Sequence, residues 1–202
     1  MPGQVQEIIA EIEDHRRAFE DWCRSLSLEE LARPVPDSTW RVQDFISHLA
    51  TIDITVAEWF AAIADGGDIQ SALAAQAQGD APFDINRWND DVVAERNEWS
   101  LDEVFAEARK TRAGVVEQLE RLDDAMLTST IHFGGDGKRP PSDIKLADYL
   151  NGWAKHDPIH VNDMIRALPD HGEDPQVLAW LADPVIGGIA RGYAASMGWE
   201  GE

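Results

Sequence analysis

Two histidines four residues apart, His156 and His160, stand in the run HDPIH. Side chains at i and i+4 of a helix are neighbours on one face, so two imidazoles at this spacing can grip one metal ion. His48 is distant in sequence, three residues after Phe45 and four before Ile52, which puts it on the inward stripe of its own helix. As a third ligand from an adjacent helix it would complete a facial set. A core histidine often simply hydrogen-bonds a backbone carbonyl; against that reading, three inward imidazoles are costly to bury without a shared ligand. Three neutral nitrogens leave coordination positions for water or substrate, the mark of a catalytic and not a structural site, and Zn²⁺, Ni²⁺ and Fe²⁺ all accept them. Such an ion holds a thiol as thiolate or acidifies a bound water, two ways to present a nucleophile at neutral pH.

The other reactive side chains read differently. His15 falls near the inward face of its helix, between Ile12 and Phe19, as a core or supporting histidine. His132 sits in a glycine-rich run and His171 follows Pro169, so both are expected at the surface. Cys23, beside Trp22 on an apolar stripe, is expected to pack as a small hydrophobe. Trp59 and Trp153 share stripes with the histidines and could wall an apolar pocket for a flat or aliphatic electrophile, although core packing explains them equally well. Lys138 and Arg139 form a basic spot in the loop that leads to the His156 helix, near Gly134 and Gly135. They suit either a lid that holds a substrate carboxylate or a plain solvated turn.

The elements that must position these residues are helical. Apolar residues from Val5 to Cys23 recur at helical period, and Ser27 with Glu30 makes a capping box for a short turn stopped by Pro34 and Pro36. A wide stripe runs from Val42 to Ala64 and ends at Gly66 and Gly67. After a small, polar stretch at 74–84, Ile85 to Trp99 suggests another helix, and Ser100 with Glu103 caps a long one reaching Leu122. The run 132–141 cannot be helical, and a last long helix is expected to restart at Ser142 or Asp143 and end at Pro169. Pro158 falls inside it. Either the helix kinks there and survives, which we expect, or a new helix starts at Pro158 and His156 points away. No period-two run and no βαβ rhythm appear, so the chain reads as an all-α four-helix bundle over 1–168 with short extra helices and a C-terminal extension, 169–202, packed on it.

Composition narrows the function. With 17 basic and 38 acidic residues the 202-residue chain carries a net charge of −21, which repels phosphate backbones and anionic headgroups, so neither nucleic acid nor membrane is an expected partner. A single cysteine excludes an internal disulfide framework and any zinc site built from several thiolates. The N-terminal residues show no basic segment followed by an apolar run, so a cytoplasmic location is expected.

The run WRVQDFISHLATID, 40–53, followed about a hundred residues later by YLNGWAKHDPIHVNDMI from Tyr149, resembles the DinB-like superfamily. That superfamily includes the metal-binding domain of mycothiol-dependent maleylpyruvate isomerase. The stretch FDINRWNDDVVAERNEWSLDEVFAEA, 83–108, looks like the third-helix entry of its relatives, and the resemblance covers roughly 4–168. It implies a four-helix bundle with a divalent metal, Zn, Ni or Fe, on His48, His156 and His160. It also implies use of a low-molecular-weight thiol such as mycothiol, a small-molecule substrate and a homodimer. Arg41 departs from the Ser or Thr cap usual after the tryptophan. The activity so implied is a thiol-dependent S-transferase or isomerase acting on a small electrophile; the alternatives are a metal-dependent hydrolase of a reactive small molecule and a non-catalytic metal-binding stress protein.

Overall fold

The apolar stripes become four columns, the first and fourth running one way and the second and third the other. In the computed structural model, which describes residues 3–69, 72, 84–133 and 141–189, the first column is α1 (Gln4–Cys23) and the second is α3 (Val42–Ala64). The third is α5 (Leu101–Leu119), and the fourth is the pair α6 (Leu146–Ala154) and α7 (His156–Met164). Short helices α2 (Leu28–Leu31), α4 (Ile85–Ala94) and α8 (Pro175–Ala182) decorate the bundle. One half of the core gathers Phe19, Trp22, Phe45, Leu49, Phe105 and Met164, and the other Ile12, Val56, Phe60, Leu119, Leu146 and Leu150. By length and composition α3 could cross a bilayer, but 67% of its apolar window is buried inside the fold.

The capping signals work as read. The Ser27 and Ser100 hydroxyls accept from the backbone N–H groups of Glu30 and Glu103, whose carboxylates accept in return from the serine N–H groups at 2.8 Å. Arg41 is the N-cap of α3 despite having no acceptor. Asp44 completes the cap alone, accepting from the Arg41 backbone N–H at 2.7 Å and from its guanidinium at 2.8 Å.

Two expectations about the fourth column are corrected. The helix does not restart at Ser142: residues 142–145 form β2 (Ser142–Lys145), paired antiparallel with β1 (Thr130–Phe133) in the register Ile131 to Ile144 and His132 to Asp143. Four-residue strands are too short to display an alternating pattern, and β-branched Thr130, Ile131 and Ile144 favour extended backbone. The column also breaks outright, at Lys155 (φ −102°, ψ 9°), and does not merely kink. The Pro158 ring opposes the carbonyl four residues back, that of Ala154, and Ala154 is the last residue of α6. Proline then falls in the first turn of α7, where no intrahelical N–H is required. Lys155 braces the break, its Nζ 2.5 Å from Glu11 and 3.2 Å from Asp183.

Residues 175–189 contribute to the core. Val177 and Trp180 are buried, and Trp180 meets Trp22 edge to face at 6.2 Å. His171 is not a surface residue: it bonds Glu30 at 2.9 Å and lies edge-on to Trp22. These contacts clamp α2 and the α1 end to the C-terminal segment. The Ser27 N–H and hydroxyl, and then His171, lower the Glu30 carboxyl to about 2.

One buried polar cluster joins all four columns. Arg16 of α1 grips Asp157 of α7 with two bonds, Nε to Oδ2 at 2.5 Å and Nη2 to Oδ1 at 2.9 Å, and also donates to the Leu49 carbonyl. Arg112 of α5 bonds Asp53 of α3 at 2.7 Å and Asp157 at 3.3 Å. Two guanidiniums thus neutralise two carboxylates, which makes the burial tolerable. Burial alone would raise the Asp157 carboxyl, but the charges of Arg16 and Arg112 outweigh it and hold Asp157 well below the usual carboxylate range. Burial wins at Asp53, which is raised.

Removing one cation leaves a buried carboxylate uncompensated, so Arg112→Ala should cost ~3–5 kcal/mol in urea unfolding; a loss below about 1 kcal/mol would contradict the account. Asp157 has a depressed folded pKa, so its stabilisation is complete above the unfolded value near ~4 and is lost as pH falls below it. Asp157→Asn should therefore flatten the slope of stability with pH below about 4 relative to wild type, whereas parallel curves would contradict this.

Candidate metal centre

The break at Lys155 decides where the histidines point. His156 opens α7 and His160 follows one turn later on the same face, while His48 faces them from the second turn of α3. The three rings converge: centroids are 4.9 Å apart for His156 and His160, 5.2 Å for His48 and His160, and 5.8 Å for His48 and His156. One ring nitrogen from each lies within 4.8 Å of the others. His48 is buried, and His156 and His160 are half-buried.

Aromatic rings wall it. Trp153 stacks on His156 at 4.3 Å and 15°, Trp40 leans on His48 at 5.2 Å, and Phe45 lies 5.7 Å from His160. Burial pushes the His48 and His156 rings well below the ordinary imidazole value, and His160 adds to both shifts by like-charge repulsion. Neutral rings keep the lone pair that a metal needs.

The donor set fits a divalent ion on a second count. Nδ1 of His48 and Nδ1 of His156 are buried with no hydrogen-bond partner, a costly arrangement for polar atoms. The Asn89 side chain from α4 approaches the His48 ring as a partner, yet neither His48 Nδ1 nor Asn89 Oδ1 completes a bond of good geometry. His160 alone is engaged, its Nδ1 3.1 Å from Asp163 Oδ2. The α4 helix is tied down beside the cluster by Trp40 Nε1 donating to Asp90 at 2.9 Å.

Of the other sequence candidates, Trp153 reaches the histidines and Trp59 does not. Trp59 is eleven residues along α3 from His48, about 16 Å by helical rise. Lys138 and Arg139, with Gly134 and Gly135 of the supposed lid, lie outside the described residues. His15 pairs with Glu11 at 3.7 Å and His132 with Asp143 at 2.8 Å, neither near the cluster of three. Cys23 is buried, and burial pushes its thiol up, so it is inert. A groove of about 570 Å³ between α1 and α5, lined by Glu13, Arg17, Glu20, Arg109 and Glu117 among others, includes none of the three histidines.

Sequence reasoning missed Trp40, Asn89 and Asp163. The signal for Asp163 was present, since a carboxylate three residues after His160 is a helical neighbour. Trp40 precedes its helix and Asn89 belongs to another, so no spacing rule reaches them.

The model of the DinB superfamily matches residues 11–164, which takes in all four columns and all three histidines. The chain belongs to the DinB superfamily. No curated protein and no solved structure matches it. The DinB match ends at Met164, the last residue of α7, so the buried α8 segment lies beyond it. DinB proteins generally bind metal, and the three-histidine cluster of this member is a possible site for one.

In the metal-free protein, the His48 and His156 rings should titrate with midpoints below the ordinary value of about 6.5. Proton NMR of the ring C–H signals checks this; a midpoint at or above that value for either residue would contradict the buried cluster.

Proposed function

We propose that His48, His156 and His160 bind one divalent ion, Zn²⁺, Ni²⁺ or Fe²⁺, and that this DinB protein is a thiol-dependent S-transferase or isomerase acting on a small electrophile. The observation that carries the reading is the meeting of three imidazoles from two helices at a half-buried, aromatic-walled point. Bound there, the ion would supply Lewis-acid chemistry, lowering the pKa of a thiol so that it is a nucleophile at neutral pH.

The chain's own residues do the rest. An all-imidazole set brings no negative charge, so the site keeps the ion's full charge for an anionic partner such as a thiolate. Trp153 and Phe45 exclude water on either side and offer flat apolar surface to an electrophile. The −21 envelope favours the neutral sugar of mycothiol over the anionic glutathione as the thiol carrier. On this reading the working unit is the 1–168 bundle, with 169–202 as an extension packed on it. The reaction belongs to the cytoplasm, where small thiols stay reduced.

Metal analysis followed by a thiol-consumption screen tests the proposal. The protein loaded with each ion in turn should retain about one ion per chain, lost in His160→Ala, and should consume mycothiol only when metal and electrophile are both present. Saturating metal at a hundred times Kd should add about 2.7 kcal/mol of stability. His171→Ala should lower stability by breaking the Glu30 bond while leaving metal content unchanged. Turnover without thiol would replace the transferase reading with a hydrolase, and retention of no ion would overturn the metal reading.

A further inference from the structure

We propose that Asp163 is the positioning residue of this centre: it fixes the His160 proton on Nδ1 and so leaves Nε2, with its lone pair, as the nitrogen presented to an ion. This rests on the metal reading above. Asp163 Oδ2 stands 3.1 Å from His160 Nδ1, three residues on along α7. A carboxylate has only acceptor oxygens, so the bond requires the proton on Nδ1, and a neutral imidazole has one N–H and one lone pair.

Charge supplies an independent reason. Asp163 is 6% exposed, and among the described residues no lysine or arginine comes within 4 Å of it. The other three buried carboxylates among the described residues, Asp44, Asp53 and Asp157, are each held by a guanidinium. A buried carboxylate is ordinarily paired. Asp163 faces instead a single imidazole, whose ring gains positive character when Nε2 ligates a cation. A carboxylate bonded to the distal nitrogen of a metal-bound histidine is the arrangement that sets the tautomer and raises ligand basicity. His156 lacks it, since its Nδ1 has no partner, so the support is specific to His160.

The test compares wild type with Asp163→Asn and Asp163→Leu, reading two quantities. The first is the His160 tautomer in the metal-free protein, from ¹⁵N–¹H correlations of the ring. The second is Zn²⁺ affinity, by competition with a chromogenic chelator. Wild type should carry the His160 proton on Nδ1. Asp163→Leu should lose that preference and bind Zn²⁺ about 10- to 100-fold more weakly. Asp163→Asn, whose Oδ1 still accepts from Nδ1–H, should keep the tautomer and lose less affinity, which a merely structural role would not predict. A wild-type proton on Nε2, or Asp163→Leu binding Zn²⁺ within about twofold of wild type, would overturn the assignment. Should Asp163→Leu fail to fold, the wild-type tautomer and the Asn variant decide. Failure of wild type to bind Zn²⁺ would instead overturn the metal reading, while the tautomer still decides the role of Asp163.

Discussion

The ion cluster of Arg16, Asp53, Arg112 and Asp157 is the contact on which the arrangement of this bundle depends. It takes one side chain from each column, so no column can slide or rotate without leaving a buried charge unpaired. Two of its members are chain neighbours of the ligand candidates: Asp157 directly follows His156, and Asp53 lies five residues after His48. Holding Asp53 and Asp157 on the same pair of guanidiniums therefore sets α3 and α7 at matching heights. The imidazoles meet because the carboxylates beside them meet. An apolar core tolerates small shifts at modest cost, whereas a four-member charge cluster does not.

Above this neutral cluster lies a second polar layer with the opposite logic. Here burial keeps the His48 and His156 rings uncharged, their Nδ1 atoms lack partners, and one carboxylate, Asp163, has no nearby cation among the described residues. The lower layer is complete in itself; on the proposed reading a cation would complete the upper one. Trp153, Trp40 and Phe45 wall the layer with aromatic rings. The break at Lys155 belongs to the same design. It frees the first turn of α7 to present His156 and Asp157 in different directions, one to each layer, with Pro158 enforcing the interruption.

Much of this was legible in the chain. Long apolar stripes gave the four columns, serine and glutamate three apart gave two helix starts, and the i, i+4 histidines with His48 gave the cluster. What escaped did so for physical reasons. Arg16, Asp53 and Arg112 stand on stripes otherwise apolar, but a pattern that counts apolar positions treats a charge as an exposed gap, and only the folded chain shows the partners that make its burial affordable. The β1–β2 hairpin was hidden by its short strands. The effect of Pro158 was foreseen in kind, yet whether a column bends or breaks depends on what catches the freed ends, here Glu11 and Asp183 on Lys155. His171 looked peripheral because its partners, Glu30 and Trp22, are more than a hundred residues away in sequence.

The central claim, that the ion cluster sets the columns so that three histidines share one cation, is tested most directly by anomalous diffraction at the zinc edge from crystals grown with Zn²⁺. The account predicts one strong peak about 2.1 Å from a single ring nitrogen of each of His48, His156 and His160, with Arg16 on Asp157 and Arg112 on Asp53 undisturbed beneath it. A peak on other residues, or no peak between these three rings at saturating zinc, would contradict it.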